Sequence, residues 1–379
     1  MGMSSKKHQI PDIRFKGFTD AWEQRKLGET VQITMGQSPN GENYTEDPKD
    51  HILVQGNADM KNGRVSPRVW TTQVTKKGDP EDIILSVRAP VGDVGKTNYP
   101  VVLGRGVAGI KGNAFIFQTL SRMKEIGFWT KYSSGSTFES INSADLKEAV
   151  IQIPNIEEQI KIGDFFTKLD DTIALHQRQL DNYKELKKAM LQKIFNQELR
   201  FKNDDGNDYP DWREVILEEI CLYKSSNISL DSFKEYNGEE IYPLYDANSL
   251  VLNIDKYDQE NEYVSIIKDG AGVGRIRYCE GKSSVLGTMG YLLPTDTVDI
   301  KFLYFRLQII NFLSYVSGST IPHIYFKDYK KENIGLPCED EQKKIADVLS
   351  ALDIKIEISV QKIEALKQQK KGFMQQMFV

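Results

Sequence analysis

The chain has 379 residues, 40% of them hydrophobic, enough for two or three ordinary domains each with its own core. A formal net charge of −5 does not by itself suggest a nucleic-acid binder, because phosphate neutralisation normally needs a basic face. Charge is nevertheless uneven: Lys61, Arg64, Arg68, Lys76, Lys77, Arg88, Lys96, Arg105 and Lys111 crowd one stretch, whereas residues 203–219 are acidic. No run approaches about 18 apolar residues and the first residues lack a signal-peptide core, so a cytoplasmic address without membrane insertion is expected. Cys221, Cys279 and Cys338 lie far apart, and His8, His51, His176 and His323 show no metal-ligand spacing, so reduced thiols and no metal are expected.

In chain order, Arg14-Phe15-Lys16 and Trp22 open a region of short apolar or alternating runs bounded by Gly, Pro, Asn and Asp. Runs such as "EDIILSVRAP" and "NAFIFQT" predict strands of a mainly β domain from 22 to about 152. Residues 86–97 end in Gly95-Lys96-Thr97, the last three letters of a phosphate-binding loop. That loop requires a glycine where Pro90 stands and a helix starting at the lysine, whereas "NYPVVLGRG" follows, so no nucleotide site is expected. Ser134-Gly135-Ser136-Thr137 then suits a turn near a domain–helix junction, or a phosphate contact.

Pro154, the acids Glu157 and Glu158 and a proline-free run predict a long helix. From Leu169 the residues Leu169, Ile173, His176, Leu180, Tyr183, Lys187, Met190 and Ile194 step alternately by four and three, a heptad seam. The pattern then recurs. Arg200-Phe201-Lys202 and Trp212 echo the start, "EYVSIIKDG" and "GYLLP" predict strands up to about residue 335, and residues 300–316 predict a helix. Ser317-Gly318-Ser319-Thr320 repeats the turn. Pro337 and the acids Glu339, Asp340 and Glu341 open a second long helix, with the seam Leu352, Ile356, Ser359, Ile363, Leu366, Lys370, Phe373 and Met377. Lys187 and Lys370 fall at equivalent seam positions, where they would leave the coiled coil open for partner helices.

Residues 132–195 align with 315–378 without a gap, at a constant offset of 183, and roughly a third of the pairs are identical. Upstream, Asn57 in "VQGNADM" matches Asn248 in "LYDANSL", and Val94-Gly95-Lys96 matches Val273-Gly274-Arg275. The offset falls from about 190 to about 180 between them, which places about ten extra residues after Asn57. The repeat is circular: the first helix runs into "FNQELRFKNDDGNDYPDW", whereas the second stops at Val379, and the missing continuation resembles the chain's own start. The expected class is α+β, with two mixed α/β domains separated by two long antiparallel helices that form a coiled-coil spacer with pseudo-two-fold symmetry. About 26 residues of helix give a rod of roughly 40 Å.

The segments "FTDAWEQRKLGE", "MGQSPNGENY" and "VSIIKDGAGVGRIRYCEGKSSVLGTMGYLLP", with the paired "SSGST…IPNIEEQIKIGDFF" and "VSGST…LPCEDEQKKIADVL", resemble the DNA-specificity (S) subunits of type I restriction-modification systems over essentially the whole chain. The resemblance implies a first target recognition domain at 1–152, a conserved spacer helix at 153–200, a second recognition domain at 201–335 and a second spacer helix at 336–379. It also implies an asymmetric bipartite site on double-stranded DNA, one half-site per domain and about one helical turn apart. Two methyltransferase subunits would dock on the helices, and restriction/translocase subunits would join through them.

No [Asn/Asp]-Pro-Pro-[Tyr/Phe] methyltransferase signature or motor motif occurs, so a non-catalytic chain is expected. It would hold no cofactor itself, with S-adenosylmethionine, ATP and Mg2+ on the partner subunits. The candidate DNA readers are Asn57, Arg64, Arg68, Lys76, Lys77, Arg88, Lys96 and Arg105 in the first domain. In the second they are Asn248, Lys268, Arg275, Arg277, Lys282, Ser284 and Thr288. Asn57 and Asn248 suit adenine edges or a turn. Trp22 and Trp212 read as core anchors. The alternative is a coiled-coil adaptor that joins two protein-binding domains without touching DNA.

Overall fold

A computed structural model describes residues 10–132, 140–232 and 241–379. The chain divides into two compact units, one of Met1–Arg178 with Gln361–Val379 and the other of Gln179–Val360. Both have mixed sheets beside long helices, as the α+β reading expects.

In the first unit a six-stranded sheet runs in the order Gln32–Met35, Val107–Lys111, Ile83–Ser86, Val94–Lys96, Arg64–Val65, Met60–Lys61. A five-stranded sheet runs Tyr44–Thr45, Val69–Thr71, His51–Val54, Val101–Leu103, Lys77–Gly78. Ile84 has Gly109 opposite it on one side and Gly95 on the other, and all of Ile83–Ser86 is buried. A strand covered on both faces accounts for the unbroken apolar run in the sequence.

The second unit repeats the plan with fewer strands: Cys221–Ser225, Met289–Pro294, Tyr263–Ile267, Ile276–Cys279 in one sheet, and Leu250–Ile254, Tyr242–Tyr245, Ser284–Val285 in the other. Tyr263–Ile267 is again a wholly buried middle strand. In both units the second sheet joins a parallel pair, Val54 opposite Leu103 and Tyr245 opposite Val285. The hairpin of Met60–Lys61 with Arg64–Val65 has no counterpart among the described residues of the second unit, and it falls where the repeat offset drops.

A two-stranded ribbon ties each domain to its helix, with Glu23 opposite Ile153 in one unit and Arg213 opposite Leu336 in the other. The helices span Ile156–Phe195 (40 residues) and Glu339–Met377 (39 residues), longer than their seams because they begin at the acids that follow each proline. Every seam position is buried or half-buried.

The helices run antiparallel within each unit. In the first, Phe165 meets Phe373 at 5.1 Å and Asp170 pairs with Lys370 at 2.6 Å. In the second, Lys187 pairs with Asp353 at 2.6 Å and Lys355 lies 5.9 Å from the Tyr183 ring. Lys187 and Lys370 therefore do not leave the seam open. Each is a largely buried ammonium that has found a carboxylate on the other helix, and the two aspartates are themselves equivalent in the repeat.

The cores close the circular repeat. Phe378, near the end of the second helix, packs on Trp22 (6.1 Å), Phe115 (5.3 Å) and Phe166 (5.7 Å) in the first unit. Phe195, its repeat mate, packs on Trp212 (6.3 Å) and Phe302 (5.8 Å) in the second. Trp22 and Trp212 are both buried, as core anchors should be.

Phe378→Ala should cost about 3–5 kcal/mol in the first unit. Hydrogen exchange should then speed up around Trp22 and Phe115 while residues 213–336 keep their protection. Equal loss in both units would contradict the closure.

Candidate nucleic-acid interface

In both units, loops leaving one end of the two sheets are laced together by matching backbone hydrogen bonds. In the first, Gly104 N donates to Val54 O (2.8 Å), Gly36 N to Val107 O (2.9 Å) and Val87 N to Gly106 O (2.9 Å). In the second, Leu286 N donates to Tyr245 O (3.0 Å), Ser226 N to Met289 O (3.2 Å) and Lys268 N to Thr288 O (2.9 Å). Gly106 permits the closest of these approaches, since a Cβ there would stand 2.0 Å from Gln55 O. The result in each unit is a rigid platform of loop backbone from which side chains project.

The first-domain candidates divide between the two ends of the sheets. Asn57, Arg68, Lys76, Arg88 and Arg105 belong to the laced end, where Arg88 and Arg105 are exposed. Lys77 is exposed on the short strand opposite Val102. Arg64 and Lys96 stand at the other end, paired across neighbouring strands, with Glu81 at 3.9 Å and 3.8 Å. Arg68 is also committed within the chain: its Nε donates to Asp59 Oδ1 (2.8 Å), and the other oxygen of this buried carboxylate accepts from Gln55 N and Gly56 N.

In the second unit the laced end carries Asn248, Lys268, Arg275 and Thr288, and Arg277 reaches it by donating to Asn248 O (2.7 Å) while its guanidinium lies 5.4 Å from the Tyr245 ring centre. Lys268 pairs with its neighbour Asp269 at 3.2 Å. Backbone hydrogen bonds from Ser249 and Asn248, with Arg277 nearby, hold the Asp246 carboxyl below its ordinary value and pin this loop. Lys282 lies at the opposite end of the sheet. Ser284 does not face solvent: it is 1% exposed and its hydroxyl accepts from Asp258 N (2.8 Å), so it braces the strand.

Gly95-Lys96 lies in the strand Val94–Lys96, and the Thr97 hydroxyl is buried on Tyr99 O. No helix begins there, as expected. The glycine turns of the two units do match, but three residues away from the sequence alignment. Gly92 N donates to Ser86 O just as Gly274 N donates to Ile267 O, both glycines have positive φ (+87° and +82°), and a Cβ on either would strike Trp129 or Phe312. Val91-Gly92 is therefore the partner of Val273-Gly274. Lys96 corresponds in the sheet to Tyr278 and not to Arg275.

Of the two small-residue turns, residues 134–137 lie outside the described residues. Residues 317–320 begin a hairpin closed by Ser317 and His323, and Gly270 N donates to Pro322 O (2.8 Å), so hydrogen bonds join this turn to the glycine-rich loop. Sequence reasoning overlooked Ser38, whose hydroxyl accepts from Arg105 N (3.2 Å), and the pair Gln55 Nε2 to Tyr44 OH (2.8 Å). The position of Gln55 two residues before Asn57 in the matched frame was the available signal.

Among the described residues no cluster of His, Cys, Asp and Glu could hold a metal, and no helix is long and apolar enough to cross a membrane. The three cysteines are free, and burial pushes the Cys221 thiol up to about 12.

The family model of the type I restriction modification DNA specificity domain matches residues 19–185 and 209–368. The putative type I restriction enzyme MjaX specificity subunit of Methanocaldococcus jannaschii is 33% identical over 208 residues, covering 52% of this chain and 47% of that protein. The chain thus spans about half of that relative's length. The MjaIX specificity subunit of the same organism is 21% identical over 333 residues, 75% of this chain and 74% of that one. In fold the chain is similar to the crystal structure of a type I restriction-modification S subunit from M. genitalium, with a TM-score of 0.72 over 98% of this chain and 99% of that one at 17% identity. A second solved structure, concerned with complex assembly and conformational transition of the type I R-M system, reaches 0.51 over 95% and 98% at 18% identity. With two copies of the domain model filling most of its length, this chain belongs to the type I restriction-modification DNA specificity family.

Proposed function

We propose that this chain is the sequence-reading subunit of a type I restriction-modification complex, in which each unit reads one half of a split, asymmetric site on double-stranded DNA. One observation carries the reading: the two laced loop ends share a backbone frame, yet display different side chains. Arg88 in one frame stands where Asp269 stands in the other, since both lie in the residue after the matched Val87 and Lys268. A shared frame presenting different donors and acceptors is what two readers of different base sequences need. Arginine, lysine and asparagine at these ends supply donors for phosphates and for purine edges in the major groove.

The chemistry belongs to other chains in this reading. S-adenosylmethionine, ATP and Mg2+ act on methyltransferase and restriction/translocase subunits in the cytoplasm, and this chain chooses where. The long helices offer the methyltransferase exposed apolar positions one turn apart: Ile156 and Ile160 at 60% and 52%, and Ile354 and Ile358 at 56% and 57%.

Arg105→Ala in the full complex should relax or weaken one half of the methylated motif by about tenfold, the worth of one lost bidentate or phosphate contact, and leave the other half intact. Base-resolution methylation mapping reads this directly. Equal relaxation of both halves would remove the assignment of one half-site to each unit.

A further inference from the structure

Within the second unit, one exposed cation is held on two sides by neutral groups. The Arg275 guanidinium is exposed and bracketed: Nε faces Gly272 O at 3.4 Å, and Nη2 faces Asn248 Oδ1 at 3.3 Å. Gly272 has φ +83°, and a Cβ there would stand 2.1 Å from Nη2, so only a glycine leaves room for the guanidinium to lie against the loop. The Asn248 backbone is itself held on both sides: Arg277 donates to its carbonyl at 2.7 Å, and its N–H donates to Asp246 Oδ1 at 2.6 Å.

Its partners also differ in charge from those of Arg64, Arg68, Lys96 and Lys268. Arg68 lies on the buried Asp59 carboxylate, Arg64 and Lys96 approach Glu81, and Lys268 pairs with Asp269. Arg275 rests on a neutral amide and a carbonyl and makes no ion pair among the described residues, so no carboxylate of those residues offsets its charge. The bracket occupies Nε and one hydrogen of Nη2, and the edge formed by Nη1 and the second hydrogen of Nη2 makes no hydrogen bond among the described residues. A planar fork with fixed orientation and two free donors on one edge matches the O6 and N7 acceptors that only guanine presents together in the major groove.

We propose that Arg275 reads a guanine in the half-site of the second unit, with Asn248 and Gly272 as positioning residues that hold its fork. This rests on the reading of the chain as a DNA-recognition subunit and names a base within it. A fork already held in place loses less side-chain freedom on binding than a mobile one, and that places the selectivity in the pair Asn248–Arg275.

The test uses the full chain co-expressed with its methyltransferase in an unmethylated host, with the methylated motif mapped at base resolution. For Arg275→Ala and Arg275→Lys, one guanine position in one half-site should lose its preference by about tenfold or more, since lysine restores charge without the fork. Asn248→Ala should relax the same position to a smaller degree and leave every other position unchanged, a pattern that a general loss of folding would not produce. Full preference retained in Arg275→Lys, relaxation at a base other than guanine, or an unchanged motif in Arg275→Ala would overturn the guanine assignment while the DNA-reading function stands. A complex of the unaltered chain that forms but methylates no defined motif would instead overturn that function, and this inference with it.

Discussion

Two buried carboxylates organise this molecule. Glu158 and Glu341 stand in the first turns of the long helices, both wholly buried, and each is met by an arginine from the segment that leads into its domain. Arg14 reaches both oxygens of Glu158 at 2.7 and 2.8 Å and also donates to Asp20 O; Arg200 reaches those of Glu341 at 3.2 and 2.8 Å and donates to Pro210 O. A carboxylate with no exposure is tolerable only if such a partner is present, so the helix, the ribbon and the entering segment must arrive together. The bond to the carboxylate in turn raises each guanidinium above its ordinary value.

From that constraint the rest follows in order. Each arginine precedes a buried tryptophan, and each tryptophan is packed by the phenylalanine at the far end of the other helix, Phe378 on Trp22 and Phe195 on Trp212. The first unit is thereby assembled from both ends of the sequence, and the second from one continuous stretch. Within each unit an aspartate–lysine pair fixes the antiparallel register of the helix seam. With the frame secured by the constant segments, the loops at the laced ends are free to carry different side chains. That division between a shared frame and differing loop ends is what the proposed reading of two half-sites requires.

Much of this was legible because it lies in repeated or periodic residues. The gapless offset over the constant segments, the four-and-three seam and the continuous apolar runs at Ile83–Ser86 and Tyr263–Ile267 each map onto one structural element. What escaped was whatever depends on direction or on a φ angle. The alignment of Val94-Gly95-Lys96 with Val273-Gly274-Arg275 follows letters, but the turn follows positive φ and the aromatic ring beneath it, and both select Gly92. Basic residues crowd one stretch of the sequence, yet a strand carries Lys96 to the opposite end of the sheet from Arg88. Ser284 has the residue type of a DNA contact, and only its place on a buried strand shows that it braces Asp258. The seam lysines look like gaps until the equivalent aspartates are seen across the helix pair.

In the proposed function, two units with one frame and different loop ends read two different half-sites. Mapping every methylated base in an unmethylated host that expresses this chain with its cognate methyltransferase tests that claim most directly. The expected result is one split motif whose two halves differ in sequence and are separated by unspecified bases. A palindromic motif, or a contiguous one, would contradict it.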